Sequence, residues 1–121
     1  MSKDTLLILF LGMIALAGLS FIVTFDDSPA GQYDSFAICL AEKGLTMYGA
    51  DWCSHCQAEK TAFGNSFQYV PYVECPDNVP LCLEKKITGY PTWIFADGRR
   101  LEGERGLADL AKESGCKLTL N

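Results

Sequence analysis

Basic side chains are scarce in this sequence of 121 residues, which has 10 Lys and Arg against 15 Asp and Glu and a formal net charge of -5. Proteins that bind nucleic acid need clustered Lys and Arg to neutralise phosphates. The composition therefore argues against a nucleic-acid partner. Internal repeats and low-complexity segments are also lacking. The length leaves room for one small domain.

The N-terminus contains an apolar run without charge, from Thr5 to Phe25. At ~1.5 Å per helical residue, such a run spans the ~30 Å hydrocarbon layer of a bilayer. It predicts a transmembrane anchor over residues 1–25. The alternative is a cleaved signal peptide, whose apolar region is shorter, roughly 7–15 residues, and precedes its cleavage site. Here the Ala-x-Ala pattern of Ala15 and Ala17 lies inside the run.

Charges on either side of this run predict its orientation. Lys3 precedes it and Asp26 and Asp27 follow it, and basic residues tend to stay on the cytoplasmic side. We expect a linker over residues 26–32 and a domain over 33–121 outside the cytoplasm, in a periplasm, a lumen or the cell exterior. The six cysteines agree with that placement, because disulfides persist in oxidising compartments.

Hydrophobic patterns and turn residues predict an α/β domain with a small mixed sheet flanked by helices. Ser35 is expected to cap the first helix, with Phe36, Ile38 and Leu40 as its apolar contacts. The predicted helices cover residues 36–43, 53–63, 77–86 and 107–114, and the predicted strands cover 45–49, 70–74, 92–96 and 99–102.

A Cys-x-x-Cys pair, Cys53 and Cys56, stands at the start of the second predicted helix. At this spacing the two sulfurs come within disulfide reach. The unpaired N–H groups and partial positive charge of a helix N-terminus favour the thiolate of Cys53. Cys56, one turn further along, is the expected resolving cysteine. Such a pair cycles between dithiol and disulfide and implies no other cofactor.

The residues next to the two cysteines can change the reduction potential of the pair. A protonated His55 would stabilise the reduced thiolate and make the pair more oxidising, whereas a solvent-exposed His55 would have no effect. Trp52 is either an ordinary half-buried aromatic residue or part of an apolar docking surface for peptide. Ser54 is less informative than His55 about the reduction potential of the pair.

Zinc is the other chemistry to consider for a Cys-x-x-Cys pair. Together with Cys75 and Cys82 the spacing is C-x2-C-x18-C-x6-C, and the final interval does not match the x2 that is usual in a four-cysteine zinc site. We therefore predict no metal site.

The segment YGADWCSHCQ, followed by GYPTW at residues 89–93, resembles the thioredoxin superfamily. The resemblance implies a thioredoxin-like fold. It also implies that the peptide bond before Pro91 is cis, and that the backbone of Tyr90 and Pro91 docks substrate as an added strand beside the active-site cysteines.

The segments MYGADWCSHC, YVPYVEC, GYPTW and LAKESGC resemble one branch more narrowly. It is the thioredoxin-like domain fused to, or working beside, bacterial homologues of vitamin K epoxide reductase. The resemblance implies electron transfer from folding substrate proteins to a quinone-linked membrane oxidase, which is then expected to be a separate protein. The alternatives are a disulfide reductase, for instance in cytochrome maturation, and a non-catalytic, disulfide-stapled binding module.

The same resemblance implies a second cysteine pair, Cys75 with Cys82. For Cys39 and Cys116 two outcomes stay open, a disulfide that fastens both ends of the domain or two unpaired buried thiols.

Two positions depart from the family pattern. Met47 stands where many thioredoxins and protein disulfide isomerases have a buried Asp or Glu, which leaves His55, Glu59 or water to remove the proton of Cys56. Ser54 makes the motif CSHC rather than CGHC or CPHC. The reduction potential is therefore open between roughly -120 and -270 mV.

Overall fold

The structure, a computed structural model, describes residues 29–121. The predicted anchor over residues 1–25 and the first part of the predicted linker lie outside the described residues. Within 29–121, every helix is too short or too polar to cross a bilayer.

Within residues 29–121, four α-helices and four strands follow one another in the predicted order. The helices are α1 (Asp34–Glu42), α2 (Ser54–Phe63), α3 (Val79–Glu84) and α4 (Leu107–Ser114), and the strands are β1 (Thr46–Gly49), β2 (Tyr72–Glu74), β3 (Thr92–Ile94) and β4 (Arg100–Glu102). Two 3₁₀ segments, Gly64–Tyr69 and Cys75–Asp77, flank β2.

The sheet is mixed, with the strand order β2-β1-β3-β4. Strands β1 and β2 are parallel, and Gly49 lies opposite Glu74. Strand β3 is antiparallel to both β1 and β4. Because parallel strands end at the same edge of a sheet, the segments that follow Gly49 and Glu74 begin side by side. The candidate site lies at this edge.

One apolar core joins the helices to the sheet. The ring of Phe63 in α2 stacks on Phe36 of α1 at 5.9 Å and lies 6.2 Å from the ring of Trp93 in β3. Leu110 of α4 is fully buried in the same cluster, as is Met47 of β1. This core holds α2 against the two central strands. The predicted α/β class with a thioredoxin-like arrangement is thereby confirmed for the described residues.

Two predictions for α1 are wrong. Ser35 lies inside the first turn and does not cap it; its hydroxyl donates a hydrogen bond to the side-chain oxygen of Asn121 at 2.7 Å. Ile38 is 41 % exposed, whereas Phe36 and Leu40 are fully buried. With 3.6 residues per turn, positions 36 and 40 share a face that position 38 does not share.

Two disulfides are present in the structure. Cys39 in α1 is bonded to Cys116, which follows α4, and Cys75 is bonded to Cys82 in α3. The sulfurs of Cys75 and Cys82 are therefore not free to bind a metal.

Candidate active site

The two remaining cysteines meet at the start of α2. Cys53 is the N-cap residue of this helix, and its sulfur accepts a hydrogen bond from the backbone N–H of Cys56 at 3.3 Å. Cys53 is 8 % exposed and Cys56 is fully buried. The geometry therefore gives a partner access to Cys53 first.

The segment before β3 also contacts Cys53. The peptide bond between Tyr90 and Pro91 is cis. The Cys53 thiol donates to the backbone carbonyl of Tyr90 at 3.6 Å. Trp52 is 72 % exposed, and its ring contacts that of Tyr90 edge-on at 5.8 Å. An exposed aromatic surface thus borders the dithiol.

His55 pairs with a glutamate from the segment after β4. Its Nδ1 lies 2.9 Å from a carboxylate oxygen of Glu104, and the two side chains are 69 % and 43 % exposed. Ser54, the other residue between the cysteines, is exposed as the first residue of α2. Both residues between the cysteines are therefore exposed.

Burial dominates the chemistry of Cys56. Burial first, and then the hydrogen bond to Cys53, raise the pKa of this thiol from 9.0 to about 12. The backbone of Ala50 and the positive charge of Lys60 act in the opposite direction. At neutral pH the Cys56 thiol is therefore protonated, and its attack on a disulfide requires removal of that proton.

The edge between β1 and β2 brings polar groups close to Cys56. A Cβ atom on Gly49 would lie 2.9 Å from the Cys56 sulfur and 3.3 Å from the hydroxyl oxygen of Tyr72. The Tyr72 hydroxyl donates to one carboxylate oxygen of Glu74, and the other accepts the N–H of Asp51 at 2.9 Å. Lys60 lies 3.9 Å from the centre of the Tyr72 ring.

Tyr72 and Glu74 were not among the residues singled out from the sequence. Residues two apart in a strand point to the same side of a sheet, and this spacing was an available signal. Their proximity to Cys56 depends on the register that sets Gly49 opposite Glu74.

Glu59, considered above as a proton acceptor, occupies a different position. It is fully buried, and its two oxygens accept the backbone N–H groups of Arg105 and Gly106 at 2.6 and 2.8 Å. The indole N–H of Trp93 lies 3.4 Å away as a third donor. Glu59 therefore fastens α2 to the segment after β4, residues 103–106, which also carries Glu104.

Relatives of this chain are found among known proteins. No model of a protein family matches the chain. It is 42 % identical over 96 residues to the thiol-disulfide oxidoreductase LTO1 of Arabidopsis thaliana, covering 69 % of this chain and 25 % of that protein. It is 31 % identical over 93 residues to the thioredoxin domain-containing protein 5 homolog of Drosophila melanogaster, covering 64 % of this chain and 22 % of that protein.

The chain spans about a quarter or less of the length of these relatives. Among solved structures, it matches a malarial protein with a TM-score of 0.48 and 19 % identity, over 58 % of this chain and 93 % of the other. It also matches a DsbH oxidoreductase with a TM-score of 0.39 and 20 % identity, over 85 % and 96 %. Over 69 % of its length the chain is thus similar to a named thiol-disulfide oxidoreductase, and it has a Cys-x-x-Cys pair at a helix N-terminus, the setting that thiol-disulfide exchange uses.

Proposed function

We propose that this chain is a membrane-anchored oxidoreductase that forms disulfides in folding proteins and passes their electrons to a separate, quinone-linked oxidase resembling vitamin K epoxide reductase. One observation carries the catalytic part. The sulfur of Cys53 lies at the N-terminus of α2 and 3.6 Å from the carbonyl of Tyr90, with Cys56 buried behind it.

The disulfide bonds of the exchange are made and broken at Cys53 and Cys56. A substrate thiolate attacks the Cys53 sulfur of the Cys53–Cys56 disulfide, and Cys56 leaves and takes up a proton. A second substrate thiolate then attacks the substrate sulfur of the mixed disulfide. Cys53 leaves as thiolate, the substrate gains a disulfide, and the protein holds two electrons. The quinone-linked oxidase takes these electrons and restores the Cys53–Cys56 disulfide.

Placement outside the cytoplasm is supported by the disulfides. Cys39–Cys116 and Cys75–Cys82 add two bridges to a small domain, and such bridges persist in oxidising compartments. The predicted anchor would keep the domain beside a membrane oxidase, and the exposed ring of Trp52 next to Tyr90 offers substrate proteins an apolar contact.

The reduction potential tests the direction of electron flow. The full chain, purified in detergent, is equilibrated in glutathione buffers, and the oxidised fraction of Cys53 and Cys56 is measured after alkylation. We expect a potential well above -270 mV. A value of about -270 mV or below would contradict an oxidant and favour a disulfide reductase.

Trapping tests the partners. In membranes containing Cys56→Ala, the Cys53 thiolate attacks partner disulfides, and the mixed disulfides accumulate because Cys56 is not there to displace the partner. We expect mass spectrometry to find folding substrate proteins and one quinone-linked membrane enzyme bound to Cys53. The double variant Cys53→Ala with Cys56→Ala is the matched control. Recovery of cytochrome-maturation proteins alone would contradict the proposed role.

A further inference from the structure

We propose that Tyr72 and Glu74 form the proton route of the resolving cysteine, with the Tyr72 hydroxyl relaying a proton between the Cys56 thiol and the Glu74 carboxylate. This role rests on the thiol-disulfide exchange of the Cys53–Cys56 pair. It holds whichever way electrons flow, because the same route serves release and uptake of the proton.

The need for a route follows from the position of Cys56. Its side chain is fully buried, so bulk water does not reach the thiol directly. Met47, in the same parallel register as Tyr72, is an apolar side chain and accepts no proton. A buried thiol that must lose and regain a proton in every cycle requires an acceptor within reach, or within one water molecule of reach.

Tyr72 satisfies the geometric requirement. Its hydroxyl oxygen and the Cys56 sulfur both lie against the Gly49 Cα, since a Cβ there would meet them at 3.3 and 2.9 Å. The two distances place the sulfur and the hydroxyl oxygen no more than about 6 Å apart, a separation that one bridging water can span. The Tyr72 hydroxyl already donates a hydrogen bond to Glu74, so a proton that reaches the Tyr72 oxygen can be passed on to Glu74.

The other ionisable groups around Cys56 are engaged elsewhere. The groups from all neighbouring elements are Cys53, His55, Glu59 and Lys60 from the dithiol helix and its cap, Asp51 from the preceding loop, and Tyr72 and Glu74 from β2. Both oxygens of Glu59 accept backbone N–H groups. His55 faces Glu104, and a Lys ammonium has no lone pair.

Asp51 contributes through its backbone. Its side chain is 79 % exposed and pairs with Lys60 at 3.2 Å, whereas its N–H holds one oxygen of Glu74. The other Glu74 oxygen faces the Tyr72 hydroxyl. Glu74 is half-buried at the sheet edge, so it can exchange its proton with water.

Tyr72 is the relay and Glu74 the acceptor. Burial, together with the bond to Glu74, raises the pKa of Tyr72 far above neutral pH. The phenol therefore stays protonated and cannot serve as a standing base. It passes one proton on while it receives another.

Resolution of a mixed disulfide on Cys53 begins with proton transfer from Cys56. The Cys56 thiol gives its proton to the Tyr72 oxygen, and the Tyr72 proton moves to Glu74. The Cys56 thiolate attacks the Cys53 sulfur, the Cys53–Cys56 disulfide forms, and the partner leaves as thiolate. Glu74 then loses the proton to water. In the opposite direction Cys56 is the leaving group and takes its proton by the same route.

A two-phase reaction isolates this step. When the reduced full chain reacts with excess 5,5′-dithiobis(2-nitrobenzoate), Cys53 attacks first and releases one thionitrobenzoate. Cys56 then displaces the second in a step that does not depend on reagent concentration. Removal of a general base typically costs on the order of 10²–10⁴-fold. We expect Tyr72→Phe and Glu74→Gln to slow the second phase at least tenfold at pH 7 and to leave the first unchanged.

The pH profile separates this role from a structural one. As pH rises, hydroxide replaces the missing route, so the deficit of each variant shrinks. Because both residues act in series, the double variant should be no slower than the slower single variant. Tyr69→Phe and Glu102→Gln, an exposed phenol and an exposed carboxylate, are the matched controls and should react as the unmodified chain does.

Three results would overturn the proposal. They are a second phase within twofold of the unmodified chain in both variants, equal slowing of both phases, and effects that multiply in the double variant. Circular dichroism of every variant checks that it is folded, and the first phase reports whether Cys53 is intact.

Discussion

Glu59 and Glu74 are both acidic side chains close to the buried cysteine of the dithiol, yet their surroundings differ. Glu59 is fully buried, and the segment after β4 donates two backbone N–H groups to it. Glu74 is half-buried and accepts from the Tyr72 hydroxyl and the N–H of Asp51. Amide donors hold their protons at neutral pH, whereas a phenol can relay one. The donors of a carboxylate, more than its burial, thus indicate whether it is structural or catalytic.

The largest effect is expected from removing the structural carboxylate. Glu59→Ala leaves two backbone N–H groups and the indole of Trp93 without their acceptor, and each unsatisfied buried group costs about 1–3 kcal/mol. We expect the free energy of unfolding in urea to fall by about 3 kcal/mol or more. The control Glu102→Ala, at an exposed position in β4, should stay within about 0.5 kcal/mol of the unmodified chain. Equal stability of the two variants would contradict a structural role for Glu59.

Filling the space beside Cys56 with a side chain at Gly49 is expected to cause the next largest loss of stability. In Gly49→Ala the new Cβ would meet the Cys56 sulfur at 2.9 Å and the Tyr72 ring at 3.1 Å. Overpacking of this kind typically costs about 1–3 kcal/mol, which urea unfolding of the reduced protein measures.

Gly89→Ala is the matched control, since nothing lies within 4 Å of a Cβ there. If both glycine variants are equally stable, the gap beside Cys56 is not as tight as the structure shows.

The smallest effect is expected for the third carboxylate, Glu104, whose pair with His55 is exposed. Glu104→Gln removes a negative charge near the N-terminus of α2, so the reduced thiolate gains stability and the pair becomes more oxidising. Exposed pairs contribute about 0–1 kcal/mol, and about 1.4 kcal/mol corresponds to 30 mV. We expect a rise of less than about 20 mV in glutathione buffers. A fall in the reduction potential would contradict the expected effect of the Glu104 charge on the Cys53 thiolate.

Much of the fold could be predicted from local pattern. The end of α4 at Gly115 has the left-handed conformation that glycine favours. Cys53 as the helix cap follows from the Cys-x-x-Cys spacing after a short apolar strand. Strand β2 begins two residues later than predicted, at Tyr72, because Pro71 has no N–H for the ladder.

The interior of the site could not be predicted in the same way. A glutamate in an amphipathic helix is normally expected in solvent, and the donors that bury Glu59 lie 46 and 47 residues away in sequence. The relation of Glu74 to Cys56 depends on strand register, which no local pattern of residues in β2 specifies. The resemblance to thioredoxins indicates that Met47 stands in place of a buried Asp or Glu. It does not indicate which residue takes over the removal of the Cys56 proton.

The most direct test of the account compares the two thiols of the dithiol. The reduced chain is treated with iodoacetamide at pH 7, and mass spectrometry follows each cysteine with time. Cys53 lies at the helix N-terminus, whereas burial raises the pKa of Cys56 to about 12. We predict that Cys53 is alkylated at least tenfold faster than Cys56. Equal rates, or faster reaction of Cys56, would contradict the assignment of Cys53 as nucleophile and Cys56 as resolving cysteine.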